Sequence, residues 1–170
     1  MRPCFFILTI LVLSLSVCGA QAATRTLARS GTWEAFGGIT TRGAGVCGMS
    51  QEVNKRYFGL KLFAGDSTFT IQVGGKIWQI ENGKKQSVVM VLDGNRPWRA
   101  MATGMHFSDG DAGLEFTINR DELAEFNRQF RDAGQLRLQL PGSTSADWVV
   151  DLTGTSAVSD AFGRCTRGLN

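Results

Sequence analysis

From residue 31 to residue 119 apolar and polar positions alternate in short runs, and glycines break the runs. A period of two places one set of side chains on each face of a β-strand. Residues 32–36 form the first such run and residues 45–51 the second. Residues 57–63 and 67–73 flank Ala64-Gly65-Asp66, so they predict a hairpin. Residues 76–80 predict a further short strand. Residues 87–92 are apolar almost throughout, which suits a central strand. Asp93-Gly94-Asn95 ends that run as a turn, and Pro97 blocks its continuation. Residues 98–105 and 114–118 predict two more strands around a glycine-rich turn.

The period then changes. Asn119 followed by Glu122 has the spacing of a capping box. Leu123, Phe126 and Phe130 fall on one helical face at i, i+3 and i+7, and Gly134 is placed to stop the helix. Leu136, Leu138 and Leu140 alternate again, Pro141-Gly142 turns the chain, and residues 148–152 return as a strand. In the tail, Ala157, Ala161 and Cys165 recur at i, i+4 and i+8, with Val158 and Phe162 widening the stripe into a short helix. The predicted class is mainly β: an antiparallel β-sandwich or partly open barrel, with one amphipathic helix before the last two strands and a short C-terminal helix.

The first 22 residues follow a different rule. One charge, Arg2, precedes an uncharged apolar run over residues 5–15, and Ala20-Gln21-Ala22 supplies an A-x-A cleavage site. Residues 1–22 are thus expected to be a signal peptide, with cleavage after Ala22. The apolar run is shorter than the roughly 20 residues of a membrane span, and no later run is long enough. Val17 before Cys18 does not fit a lipoprotein signal. Residues 23–30 are polar and are expected to be a flexible N-terminal arm, leaving residues 31–170 as a single β-rich domain. The expected location is the periplasm or outer envelope.

Charge narrows the partners. Arg2 leaves with the signal, so 17 of the 18 basic residues remain against 15 acidic ones, interspersed along the chain. That balance gives no footprint for nucleic acid or an anionic membrane. Lys84-Lys85 and Arg164/Arg167 read as solvated faces.

Cys47 and Cys165 are the cysteines left after cleavage. An even pair in an exported chain reads as a disulfide. A redox pair or a thiolate metal site is the rival reading, but redox pairs sit close in sequence and zinc needs further ligands.

Candidate chemistry is sparse. His106 is the single histidine, so a serine–histidine mechanism must use it. Gly65-Asp66-Ser67 echoes an esterase motif without the downstream histidine that motif requires. Asp109, Asp111 and Glu115 cluster in a loop, as a glycosidase pair or half of a calcium loop would. Met101, Met105 and His106 combine two thioethers with an imidazole, a set that suits copper(I). The same methionines fall on one strand face, as core residues do. Of the four tryptophans, Trp98 stands between Arg96 and Arg99 after Pro97. Aromatic and arginine residues together are enriched at interfaces, which makes Arg96, Trp98 and Arg99 the candidate interaction patch.

Several of these positions form a pattern. Trp33 opens the first strand, Cys47 follows, and Asp93-Gly94 with Pro97-Trp98 ends the apolar run. The chain closes with Asp151-Leu152-Thr153-Gly154-Thr155-Ser156-Ala157, Ala161-Phe162 and Cys165. This pattern resembles the invasion-associated locus B family, small exported proteins of proteobacteria. The resemblance implies an envelope-associated β-sandwich or barrel and carries over no catalytic residue. The expected function is a non-catalytic periplasmic or cell-envelope binding module, without a cofactor, whose partner is an envelope or extracellular protein. A small-ligand or copper carrier and an inhibitor of a secreted enzyme are the alternatives.

Overall fold

The computed structural model describes residues 23–142 and 147–169. The expected signal peptide and its cleavage site lie outside the described residues. Ten strands form among the described residues: β1 (Ala23–Ser30), β2 (Trp33–Ile39), β3 (Gly45–Val53), β4 (Arg56–Phe63), β5 (Thr68–Gly75), β6 (Lys85–Leu92), β7 (Trp98–His106), β8 (Ala112–Asn119), β9 (Gln135–Gln139) and β10 (Trp148–Asp151). Helix α1 (Leu123–Asp132) follows a 3-10 turn at Arg120–Glu122, and α2 (Thr155–Arg167) ends the chain. All strand pairs are antiparallel, in the order β1-β2-β3-β4-β5-β8-β7-β6-β9-β10, and the sheet does not close into a barrel. The mainly β class and both helices agree with the sequence pattern.

The alternation decides which face is buried. Phe58, Leu60 and Leu62 of β4 and Phe69, Ile71 and Val73 of β5 are all fully buried, whereas Lys61, Thr70 and Gln72 between them are not. Fully burying side chains of this size stabilises the fold by about 1.5–3 kcal/mol each. Helix α1 sets Phe126 and Phe130 into that face. Phe130 stacks on Phe58 at 5.9 Å and meets Trp33 edge-on at 5.1 Å. Helix α2 packs along β1, β2 and β3 and against α1, burying Val158, Ala161 and Phe162. The Thr155 hydroxyl donates to the Phe130 carbonyl at 3.0 Å, tying the start of α2 to the end of α1.

Cys47 of β3 and Cys165 of α2 form the expected disulfide across 118 residues, with Cα atoms 5.9 Å apart. Gly37 lies opposite Cys47 in the β2–β3 register. A Cβ there would stand 2.7 Å from the Cys165 sulfur, so the bridge fits because position 37 has no side chain.

Three local expectations need correction. Residues 23–30 are not a loose arm but the edge strand β1, paired with β2 from Ala23↔Ile39 to Ser30↔Trp33. Their polar composition hid a strand that only its partner stabilises: Leu27 and Ala28 pack on the core, and the register shift between Thr26 and Ala28 breaks the alternation. Residues 76–80 do not form a strand. The Trp78 amide donates to the Gly75 carbonyl at 2.9 Å in a turn, leaving Ile77 74% exposed while Trp78 and Ile80 pack against the core. The Asn119 side chain makes no capping bond, because the chain leaves β8 through the 3-10 turn before α1 begins. Among the described residues no helix is long and apolar enough to cross a membrane.

Candidate functional site

The β7–β8 ladder is short, although it lies in the middle of the sheet. It runs from His106↔Ala112 to Thr103↔Glu115 and stops after four pairs. Both strands continue beyond it on their other sides. β7 stays paired with β6 as far as Met90↔Trp98, and β8 stays paired with β5 as far as Thr68↔Asn119. The unjoined ends border a cleft of 790 Å³, within the range of ligand sites. One bank carries Arg96, Trp98 and Arg99; the other carries Asn119, Asp121 and Glu122.

Pro97 starts the first bank. It cannot donate to a ladder, so pairing begins after it and the residues around it stay at the surface. Arg96 and Arg99 are exposed, and neither makes an ion pair among the described residues. Trp98 differs. It is half-buried, meets Phe126 edge-on at 5.4 Å and donates from its indole nitrogen to the Gln129 side-chain oxygen at 2.9 Å. Gln129 in turn donates to Glu125 at 2.7 Å. Arg128 also bonds Glu125, and these bonds, Arg128 first, hold the Glu125 carboxyl below its ordinary value. The two arginines of the predicted patch are therefore the accessible part, and Trp98 is the buttress that joins β7 to α1.

The acidic bank was missed in the sequence, where Glu122 was read only as a capping residue. The signal was nevertheless present: Asp121, Glu122 and Glu125 all follow directly on a strand end. Asp121 and Glu122 make no ion pair among the described residues, whereas Glu125 is already matched by Arg128.

The fold of this chain has been seen before. The crystal structure of invasion associated protein b from Bartonella henselae superimposes on it with a TM-score of 0.56 at 18% sequence identity. The match covers 84% of this chain and 96% of that one. At this identity the likeness is one of fold, and it agrees with the family resemblance carried by the residue pattern. No protein-family model matches the chain, and no curated protein matches it.

The other candidates disperse. Met101, Met105 and His106 are not core residues. Alternation turns Met101 and Met105 to the outer face, because Ala100, Ala102 and Gly104 take the inner one, and Met101 is 62% exposed. At about 3.3 Å per residue the two thioethers lie roughly 13 Å apart along one strand, too far to share an ion. Asp109 accepts the Asp111 amide at 3.1 Å in its own turn, while Glu115 accepts from Gln72 at 2.6 Å. Gln72 accepts from Lys61 at 2.8 Å, and burial, opposed by Glu115, lowers the Lys61 pKa. Among the described residues no three histidine, cysteine or acidic side chains converge as metal ligands. Gly65-Asp66-Ser67 is the β4–β5 turn, where the Asp66 and Ser67 carbonyls both accept from Arg120.

A second cleft, of 530 Å³, lies between Gln51, Arg56, Ile77 and Trp148, where β10 approaches β3. The Arg56 guanidinium stands 5.8 Å over the Trp148 ring and partly covers it.

Proposed function

We propose that the protein is a non-catalytic binding module of the bacterial cell envelope, which holds a protein partner in the cleft between β7 and the start of α1. The observation that carries the reading is the pairing of Arg96 and Arg99 on one bank with Asp121 and Glu122 on the other, all four without ion-pair partners among the described residues. Banks of opposite sign select a partner that carries both charges, and they set its orientation and register. They also disfavour nucleic acid, whose phosphates the acidic bank repels. The Trp98–Gln129–Glu125 chain holds the basic bank at a fixed position, so less ordering is needed on binding. An exported location is supported by the Cys47–Cys165 disulfide, since such bonds persist in oxidising compartments.

The test is affinity capture from the cell envelope of the native organism. The bait is oxidised protein spanning residues 23–170, run beside an Arg96→Glu, Arg99→Glu bait. Trp98 is left intact, because its loss would loosen α1. One dominant protein held by the first bait and lost from the second is the expected result. Capture that ignores the charge reversal, or nothing above background on either bait, overturns the reading.

A further inference from the structure

Among the described residues the exposed large apolar side chains are Ile39, Val53, Ile77, Met101 and Val149. Three of them, Val53, Ile77 and Val149, line the second cleft, at 38%, 74% and 46% exposure. Single exposed aliphatic residues need no explanation, but a group of them around one cleft marks a surface of contact.

Local structure holds these side chains out. Asn54 and Lys55 both have positive φ and close the β3–β4 hairpin in two residues, with Val53 opposite Arg56. The Lys76 amide donates to the Lys55 carbonyl at 3.3 Å, which ties the turn carrying Ile77 to the hairpin tip. Behind Ile77, Trp78 meets Trp148 edge-on at 6.1 Å and packs against the core. Ile77 is thus the exposed residue of a turn whose neighbours are fixed.

Positive charge surrounds the same side chains. Lys55 and Lys76 are exposed, Arg56 is half-buried over Trp148, and none of the three makes an ion pair among the described residues. The acidic neighbours are Glu52 and Asp151. Glu52 alternates with Val53 and so points to the other face of the hairpin. The Asp151 carboxylate accepts from the Thr153 amide at 2.8 Å. Lys76 joins Lys55 and Arg56 only through folding, so the even charge balance of the sequence hid this cluster.

We infer that this surface docks on an anionic phospholipid bilayer, with Val53, Ile77 and Val149 entering the boundary between headgroups and acyl chains and with Lys55, Arg56 and Lys76 on the phosphates. Aliphatic side chains set among lysine and arginine are the composition of interfacial segments. Protein hot spots favour aromatic residues over valine, and the aromatic ring that lines this cleft, Trp148, is partly covered by Arg56. The surface is separate from the proposed partner cleft. Arg56 pairs with Gly75 at the end of β5, whereas Asn119 of the partner cleft pairs with Thr68 at its start, about 23 Å away along the strand. The protein can therefore meet a bilayer at one end of β5 and hold its partner at the other.

The test is co-sedimentation of oxidised protein spanning residues 23–170 with vesicles of phosphatidylglycerol and phosphatidylethanolamine in equal parts, beside vesicles of phosphatidylcholine alone. Binding to the first, weakening as salt is raised, and none to the second is the expected result. Lys55→Glu with Lys76→Glu should lower the partition coefficient about fivefold or more per position. Ile77→Asp should lower it about tenfold or more. All three positions are exposed, so these variants should stay folded, and Arg96→Glu with Arg99→Glu should bind vesicles like the parent. Acyl-brominated phosphatidylglycerol should quench tryptophan emission through Trp78, beside Ile77, and Ile77→Asp should remove the quenching. Equal binding to both kinds of vesicle, binding that survives the Lys55, Lys76 and Ile77 changes, or no binding at low salt overturns the inference. Vesicle binding lost with Arg96 and Arg99 instead overturns it and the partner cleft together. If vesicles fail while envelope capture of a protein is lost with Lys55→Glu, Lys76→Glu, the surface takes an acidic protein and the bilayer is overturned. Envelope capture lost only with Arg96 and Arg99 leaves the partner cleft standing whatever the vesicles do.

Discussion

The sheet is left unjoined in two places, and the molecule treats them in opposite ways. Where β10 curls toward β2 and β3, side chains bridge the gap. The Asp151 carbonyl accepts from the Trp33 indole at 3.0 Å and from the Gln51 amide at 3.4 Å, and Thr32 fixes Gln51 through a 2.8 Å bond. Trp33 and Gln51 are both buried there. Where β7 and β8 part, the edges face a cleft and the side chains on its banks are charged and exposed. The first gap costs nothing in unmet hydrogen bonds at Asp151, so it is structural. The second is braced from beneath and left open, which is what a site requires. An unpaired strand edge is thus informative only together with what the side chains around it do.

The largest effect should come from the bridge that holds β3, the strand carrying Gln51. A Cys47→Ala, Cys165→Ala variant releases a closure of 118 residues. The chain-entropy model gives a loss of about 4–5 kcal/mol for a loop of that length. Urea unfolding measures it. Native-state hydrogen exchange in the variant should open β1, β2, β3 and α2 first and leave β6, β7 and β8 protected. Equal opening throughout would show that the two gaps are not independent.

Next in size is the contrast between the gaps themselves. Trp33→Ala removes a side chain only 1% exposed and takes one of two donors from the Asp151 carbonyl, so about 3–5 kcal/mol should be lost. Arg96→Glu with Arg99→Glu changes two exposed side chains and should move stability by no more than about 0.5 kcal/mol. Comparable losses in the two variants, read from the same urea titrations, would break the comparison.

Much of this division was legible in the chain. Alternation located most strands and the buried face, and the i, i+3, i+7 stripe located α1, because burial on one face imposes a period. The disulfide followed from cysteine number. What escaped was set by neighbours far away in sequence. Nothing local says that residues 23–30 gain a partner in β2, or that residues 76–80 are deprived of one. Met101 and Met105 share a face, as alternation required, but which face is inside depends on Ala100 and Ala102, whose small side chains are a weak signal. Arg96, Trp98 and Arg99 stood out by composition. Their acidic counterpart did not, because the turn at Arg120–Glu122 folds it back across a gap that strand propensity cannot reveal.

The finest test compares the two indole hydrogen bonds. Trp33 donates to a main-chain carbonyl, whereas Trp98 donates to Gln129, which is held by Glu125. Glu125 has its pKa lowered from the ordinary 4.5, chiefly by the Arg128 bond and then by Gln129. A carboxyl whose folded pKa is depressed binds fewer protons in the folded state. Its contribution is present above the unfolded pKa and is lost as pH falls through the folded one. Acidification from pH 5 should therefore leave the Trp98 bond in place through the ordinary glutamate range and disturb it only below about 4.5. In a two-dimensional NMR titration the Trp98 indole proton should shift with a midpoint below that value, and Glu125→Gln should abolish the shift while leaving the Trp33 resonance as it was. Asp151 also titrates below its ordinary range, but its carboxylate bonds Thr153 and not the indole, so any Trp33 movement must survive the Glu125→Gln change. A Trp98 shift that persists in that variant would mean that the basic bank is not positioned through α1, and the open gap would then lack the brace that distinguishes it from a frayed end.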